Sequence, residues 1–460
     1  MNNLTRYESD SIGIMEIPVD AYYGVQTFRA VVNFPITGRK LHPALISSLA
    51  QVKKASAITN YAAGKLTKVQ HDCIVKACDE ILEGKFLDSF LVDPIQGGAG
   101  TSANMNANEV IANRAIELLG GNKGDYKIVH PNDHVNCGQS TNDVIPSAGR
   151  IAVIRLLRAA AESLKLLKGA FEKKANEFES VIKMGRTEMQ DAVPVSFGRV
   201  FGAYASAISR DIRRFELAKR EMSVLNMGGT AIGTGINAHP DYISGIASSI
   251  SSVTGLEFLQ ADDLVDATQN LDSFVYVSGI VKSCVVTLSK ISNDIRLMSS
   301  GPRTGLGEIN IPAMQNGSSI MPGKVNPVMP EVMSQIAFNI IGNDTTITLA
   351  AEAGQLELNA FEPVLFYRLF ESLDTIRNGV EVFRTKCIEG ITVNADRCRD
   401  DIERSIGIVT ALCPYIGYTE SARIAKKALK EGRNVRDLLI EENVLSPEKL
   451  NEILDPAKMI

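Results

Sequence analysis

The chain has 460 residues, 45% of them apolar and 22% charged, with a formal net charge of −5. That balance suits a globular protein of two or three domains and argues against general nucleic-acid binding, which draws on a basic excess. The opening residues MNNLTRYESDSIG lack the basic-then-apolar order of a secretory leader, and no uninterrupted apolar run of about 18 residues suggests a membrane span.

In chain order, the first hundred residues mix turns with moderate helices, up to Asp93-Pro94 and the glycine-rich GGAGTS at Gly97 to Ser102. A helix is predicted from about Asn106 through EVIANRAIELL, ended by Gly120-Gly121 because glycine readily turns left-handed past a helix C-terminus. After HPNDHVNCGQSTNDVIP the pattern becomes long and helical. The spacing predicts helices over 146–181, 196–224, 264–300, 327–353 and 356–386, with Gly301-Pro302 as a strong stop. The 264–300 helix, about 37 residues, would span about 55 Å. Its apolar residues, among them Phe274, Val277, Val281, Val285, Leu288 and Ile291, do not keep to one stripe. A helix apolar nearly all round must be buried nearly all round. One five-helix layer gives too little cover, so packing against other subunits is expected. From about Ile391 the segments shorten and charge rises, as in a small C-terminal helical domain. The seven cysteines (73, 78, 137, 284, 387, 398 and 413) are scattered, which favours reduced thiols in a cytoplasmic compartment.

GSSIMPGKVNP, Gly317 to Pro327, interrupts this helical series. It is not a P-loop, since Pro322 falls inside the spacer and Val325 follows Lys324. Nor is it a G-x-S-x-G elbow. A surface turn would explain the glycines and prolines. The serines and Lys324 add hydroxyls, N–H donors and a compact charge that could bind an anion and place an oxygen base beside it. Two further stretches share this character: GTSANMNANE with Thr101, Ser102 and asparagines 104, 106 and 108, and GQSTND with Ser140, Thr141 and Asn142. Helix N-capping accounts for any one of them. Together with KMGRTEMQDAVP, Lys183 to Pro194, they exceed what capping requires and suit a small carboxylate substrate. His130 and His134 stand four apart, but Pro131 disrupts the turn and no H-E-x-x-H accompanies them, so no metal site is expected. The glycines of MGGTAIGTGIN follow a helix and not a strand, so they mark a tightly packed turn region and no dinucleotide fingerprint.

GSSIMPGKVNP closely resembles the signature of the aspartase/fumarase superfamily, and the other three stretches resemble its remaining active-site regions. The similarity runs from SIGIMEIPVDAYYGVQT to the C-terminal domain. It implies a mainly α, three-domain fold: 1–141 N-terminal and mostly helical, 142–392 a central five-helix bundle, 393–460 a small helical domain. It also implies a homotetramer with a twenty-helix core and active sites shared by three subunits. The family reaction is reversible anti-elimination giving fumarate through an aci-carboxylate. By resemblance, Ser318 is the general base, supported by loop N–H groups and Lys324. Thr101, Ser140, Thr141 and Ser319 bind the carboxylate next to the deprotonated carbon. Thr187, Lys324 and Asn326 hold the other carboxylate, and Asn142 lies near the leaving amine. No cofactor or metal is implied, although some relatives are activated by a divalent cation.

Within the superfamily, fumarases typically read S-S-N-D where this chain has Ser140-Thr141-Asn142-Asp143, and G-N-(F/Y)-E-L-N where it has AAEAGQLELN. The latter, with IGNDTT and GGTAIGTGIN, resembles the aspartase branch, which makes fumarate and ammonium from L-aspartate. A class II fumarase, a lyase for another amino acid and a binding protein that lost catalysis are the alternatives. After Gly185-Arg186-Thr187 stands Glu188, where relatives commonly carry His or Gln. An ionised Glu188 in the site would repel a dicarboxylate and attract an ammonium; a glutamate turned aside or kept neutral would do neither.

Overall fold

The computed structural model describes residues 4–455, 458 and 459. The described chain is mainly helical. A hairpin, β1 (Thr5–Ser9) and β2 (Ile14–Pro18), precedes α1 (Val25–Asn33), α2 (Pro43–Ala62), α3 (Lys68–Leu82) and α4 (Thr101–Leu118). Then come α5 (Thr141–Glu177), a second hairpin of β3 (Ile182–Thr187) and β4 (Gln190–Ser196), and α6 (Phe197–Glu221). Short β5 (Val224–Leu225) and β6 (Leu259–Gln260) pair in parallel around α7 (Pro240–Thr254). Next are α8 (Leu264–Gln269), α9 (Asp272–Met298), β7 (Ile309–Asn310), α10 (Val328–Glu352) and α11 (Glu362–Lys386). β8 (Thr392–Val393) pairs with β7, and α12 (Ala395–Arg404), α13 (Cys413–Ile416), α14 (Tyr418–Glu431), α15 (Val435–Glu441) and α16 (Pro447–Ile453) follow.

Two compact units divide these elements. The first comprises Met1–Ala161, Arg213–Ser283 and Asn339–Thr375. In it α2 packs on α3 and α7, and α3 on α4. Leu49, Val52, Ile74, Cys78, Val110, Ile111, Tyr242 and Ile250 form its fully buried interior. Glu109 of α4 supplies the cap that Gly24 cannot offer to α1: its carboxylate accepts from the backbone N–H groups of Gly24 (2.8 Å), Gln26 (2.8 Å) and Thr27 (3.1 Å), and from the Thr27 hydroxyl. The 226–238 turn is tightly packed, as expected. Gly233 sits at φ +92°, and a Cβ there would lie 2.4 Å from the Val265 backbone.

The second unit comprises Glu162–Ile212, Cys284–Phe338 and Ile376–Ile460. Phe171, Phe178, Phe197, Phe201 and Tyr204 pack edge-on or tilted against one another in its helical part. A separate C-terminal core gathers Ile402, Leu412, Ile424, Leu438 and Leu450 with Met184 of β3.

Helix boundaries differ from the sequence reading at several points. α5 begins at Thr141 and not at Pro146, because Ser140 caps it and the proline lies inside the helix, and it ends at Glu177, short of 181. α4 begins at Thr101, five residues early, because Gly100 at φ +87° lets the chain turn straight into the helix. The predicted 264–300 helix is broken. Asn270 adopts an extended backbone and its side chain closes on Asp266, so α8 ends there and α9 restarts at Asp272. The last long helix starts at Glu362 and not at 356, because Gln355 to Leu358 form a tight turn with Leu356 at φ +55°. Among the described helices α9 is long and apolar enough to cross a membrane, but half of that apolar stretch is buried within the chain, as in a core helix.

Candidate active site

Thr101 and Thr141 open α4 and α5, and both helix starts face one polar cavity of about 460 Å³ in the first unit. Gln26, Asn104, Asn136, Gln139, Ser140 and Thr230 are also in its wall. Ser140 caps α5: its hydroxyl accepts from Asn142 N–H (3.2 Å), while its own N–H donates to Asp143 (2.9 Å). Capping therefore explains Ser140 in part, yet the same residue lines the cavity. The second oxygen of buried Asp143 accepts from Gly228 and Thr230 N–H, tying the start of α5 to the glycine turn. Burial pushes Asp143 up to about 6, against these hydrogen bonds and the Lys53 charge.

Pro146, inside α5, has no N–H to give the Asn142 carbonyl, which instead accepts from Asn226 (2.9 Å). The Asn142 side chain donates to the carbonyl of Ala231, a wall residue (2.7 Å). Two helix N-termini, hydroxyls and amides, with no carboxylate in the wall, make a cavity that favours an anion. Of the three asparagines, only Asn104 reaches it, donating to Thr141 (3.3 Å) and Asn136 (3.3 Å). Asn106 points to the opposite helix face and bonds the backbone of Ser89 and Leu91.

Thr187 and Glu188 lie at the exposed tip of the β3–β4 hairpin in the second unit. The turn is made by Glu188 (φ +50°) and Met189 (φ +66°), a left-handed pair that glycine or asparagine would occupy at lower cost. Beneath it, fully buried Glu308 pairs with Lys183 (3.0 Å) and Arg186 (2.5 Å). Glu188 lines a cavity of about 550 Å³ with Lys183, Arg186, Tyr204 and Glu308.

The loop from Gly317 to Asn326 is closed on itself. Gly317 N–H donates to Lys324 O (2.9 Å), and the Asn326 amide donates to Gly317 O (2.8 Å). Inside this ring the half-buried Ser318 Oγ accepts from the N–H groups of Ile320 (3.2 Å) and Met321 (3.0 Å). Two donors on one hydroxyl oxygen are what a developing alkoxide needs. Ser319 and Lys324 are exposed beside it.

Residues 13–342 match the family described as Lyase, and residues 408–460 match that described as Fumarase C C-terminus. The chain belongs to this lyase family. It is 54% identical to the aspartate ammonia-lyase of a Bacillus species, an alignment covering 100% of this chain and 98% of that one. The crystal structure of fumarate lyase:delta crystallin from Brucella melitensis bound to cobalt is 48% identical, with a TM-score of 0.97 and 99% of both chains covered. The class II fumarase of Schistosoma mansoni is 35% identical, with a TM-score of 0.96 over 99% of each chain.

Within the family frame, the structure brings Thr101, Ser140 and Thr141 to one cavity, with Asn142 just behind its wall. Ser318, Ser319, Lys324 and Asn326 share one loop, and Thr187 and Glu188 one hairpin tip. Among the described residues no cluster of three or more His, Cys, Asp or Glu is placed to hold a metal. His134 is engaged by His130 N–H and Gln70, and burial holds it below the ordinary histidine range. Sequence reasoning missed Gln26, Asn136 and Thr230. No local pattern marks them, because three separate segments bring them to the cavity.

Proposed function

We propose that this protein is an aspartate ammonia-lyase, converting L-aspartate to fumarate and ammonium by reversible anti-elimination. The observation that carries this reading is 54% identity over the whole chain to an aspartate ammonia-lyase, against 35% to a class II fumarase.

Ser318 is the base in this reading. Its oxygen takes the proton from the carbon beside one carboxylate, and the bonding pair moves into that carboxylate as an aci-dianion. Collapse of the dianion forms the carbon–carbon double bond and expels the amine from the neighbouring carbon. The Ile320 and Met321 N–H groups support this role by offsetting charge on Oγ, and Lys324 adds a cation on the same loop. Thr101, Ser140, Thr141 and Ser319 hold the carboxylate where charge develops. Thr187, Lys324 and Asn326 hold the other, and Asn142 faces the leaving amine. Glu188, a carboxylate at a hairpin tip, attracts the ammonium group of the substrate. No cofactor takes part in these steps; a divalent cation would act only as an activator.

The working assembly in this reading is a homotetramer whose sites draw on three subunits. Phe338 (64% exposed) and Leu349 (62%) on α10 support it, as apolar side chains that need cover. Cysteines carried as thiols and scattered along the chain support a cytoplasmic location. The test is ultraviolet absorbance after adding L-aspartate to the purified protein, with L-malate in parallel. Growth of the fumarate signal with aspartate is expected. A signal with malate alone would make the protein a fumarase, and silence with both would turn the search to other amino acids.

A further inference from the structure

Lys53, in the middle of α2, is fully buried. Among the described residues no carboxylate lies within ion-pair reach of it. Its ammonium donates instead to two neutral amide oxygens, Asn136 Oδ1 (2.7 Å) and Gln139 Oε1 (3.0 Å). Both amides are locked: Asn136 donates to Gln139 O (3.1 Å), and Gln139 donates to Val135 O (3.0 Å) and Cys137 O (3.2 Å). Both also line the cavity that holds Thr101, Ser140 and Thr141.

A buried charge without a counter-charge is costly, and two amides do not neutralise it. Asp143 acts on Lys53 only from a distance, because its oxygens are taken by three backbone N–H groups. The helix starts at Thr101 and Thr141 and the hydroxyls in the wall also favour negative charge. An anion in the cavity would supply the nearby counter-charge that Asp143 gives only through space.

We infer that Lys53 is a positioning residue for the substrate: from beneath the cavity floor, through Asn136 and Gln139, its ammonium supplies the full positive charge of the carboxylate subsite. This inference rests on the reading of the cavity as that subsite. Lys53 touches no substrate atom. It acts by orienting the two amides and by charge, so it sets affinity more than the rate of the chemical step.

Burial holds Lys53 down to about 7, with the neighbouring Asp143 and Cys78 opposing the shift. The groups around it are settled above neutral pH. Asp143 of α5, pushed up only to about 6 by burial, is ionised. Cys78 of α3 and Tyr242 of α7 are pushed up by burial and stay neutral, and His134 in the 131–135 turn is pushed down and also neutral. From α4 comes the uncharged Asn104, which shares Asn136 Oδ1 with Lys53. Above about pH 7 the free protein thus holds Lys53 increasingly neutral, and an arriving dicarboxylate draws a proton back onto it.

Succinate, a dicarboxylate with no amine to lose, is the probe, used on the full-length enzyme with L-aspartate turnover measured alongside. The dissociation constant of the unaltered enzyme should rise about tenfold between about pH 7 and about pH 9, with proton uptake on binding seen by calorimetry in two buffers of different ionisation enthalpy. Lys53→Met should bind about tenfold more weakly at about pH 6.5 and lose most of the pH dependence. Its KM for aspartate should rise about tenfold while kcat moves less than about threefold. Lys53→Gln, which keeps a donor without the charge, should behave likewise and stands in if the methionine variant does not fold. An active enzyme with no proton uptake, or neutral variants with unaltered KM and pH profile, would overturn the inference. An unaltered enzyme that neither turns over aspartate nor binds succinate would overturn the functional reading instead.

Discussion

Truncating Glu109 tests how a remote carboxylate holds the wall of the site. Glu109→Ala removes the acceptor of three buried donors, the N–H groups of Gly24 and Thr27 and the Thr27 hydroxyl. At about 1–2 kcal/mol for each donor left unpaired, the gross loss is about 3–6 kcal/mol. Burial also pushes the Glu109 carboxyl up to about 6 from its ordinary 4.5, a penalty of about 2 kcal/mol on the ionised side chain that truncation removes. The net destabilisation at neutral pH is therefore about 1–4 kcal/mol. The folded value lies above the unfolded one, so the Glu109 contribution is fully present below about pH 4.5 and declines as pH rises through about 6. The variant should thus lose about 2 kcal/mol more at about pH 4.5 than at about pH 7. Chemical denaturation followed by circular dichroism, at one fixed protein concentration, reads both quantities. Gln26 is held by the same carboxylate and lines the cavity, so KM for aspartate should rise as well. A loss below about 1 kcal/mol at neutral pH, or the same loss at both pH values, would refute the capping argument.

In the second unit, Glu308→Ala leaves Lys183 and Arg186 without their shared counter-charge; a loss of about 3–5 kcal/mol and a lower KM-normalised activity through the Thr187 hairpin are expected, read by thermal shift and steady-state kinetics. Gly233→Ala meets the Val265 backbone at a left-handed φ, and should lower the melting temperature by at least the 1–3 kcal/mol equivalent of backbone strain. A melting temperature within a degree of the unaltered chain would show that the turn has room.

The loop that carries Ser318 was legible because its glycines, prolines and hydroxyls fit neither helical nor strand spacing. Its internal geometry was not: that Oγ accepts two N–H groups depends on how the chain folds back from Gly317 to Lys324. The break at Asn270 was hidden because apolar residues continue on both sides of it, and hydrophobic spacing alone cannot register one extended residue. The asparagines at 104, 106 and 108 looked equivalent in sequence, yet a helix turns about 100° per residue and sends Asn106 away from the cavity. Lys53 was invisible for a further reason. It is one of two adjacent lysines, and nothing local distinguishes the buried Lys53 from Lys54, which pairs with Asp79.

The central claim is that Ser318 takes the proton that starts the elimination. Fumarate formation from L-aspartate by Ser318→Ala, set beside the unaltered enzyme and with succinate affinity measured on both, tests it most directly. Turnover should fall by about 10²–10⁴-fold while succinate affinity stays within about twofold. Turnover that survives the substitution would remove Ser318 from the chemistry.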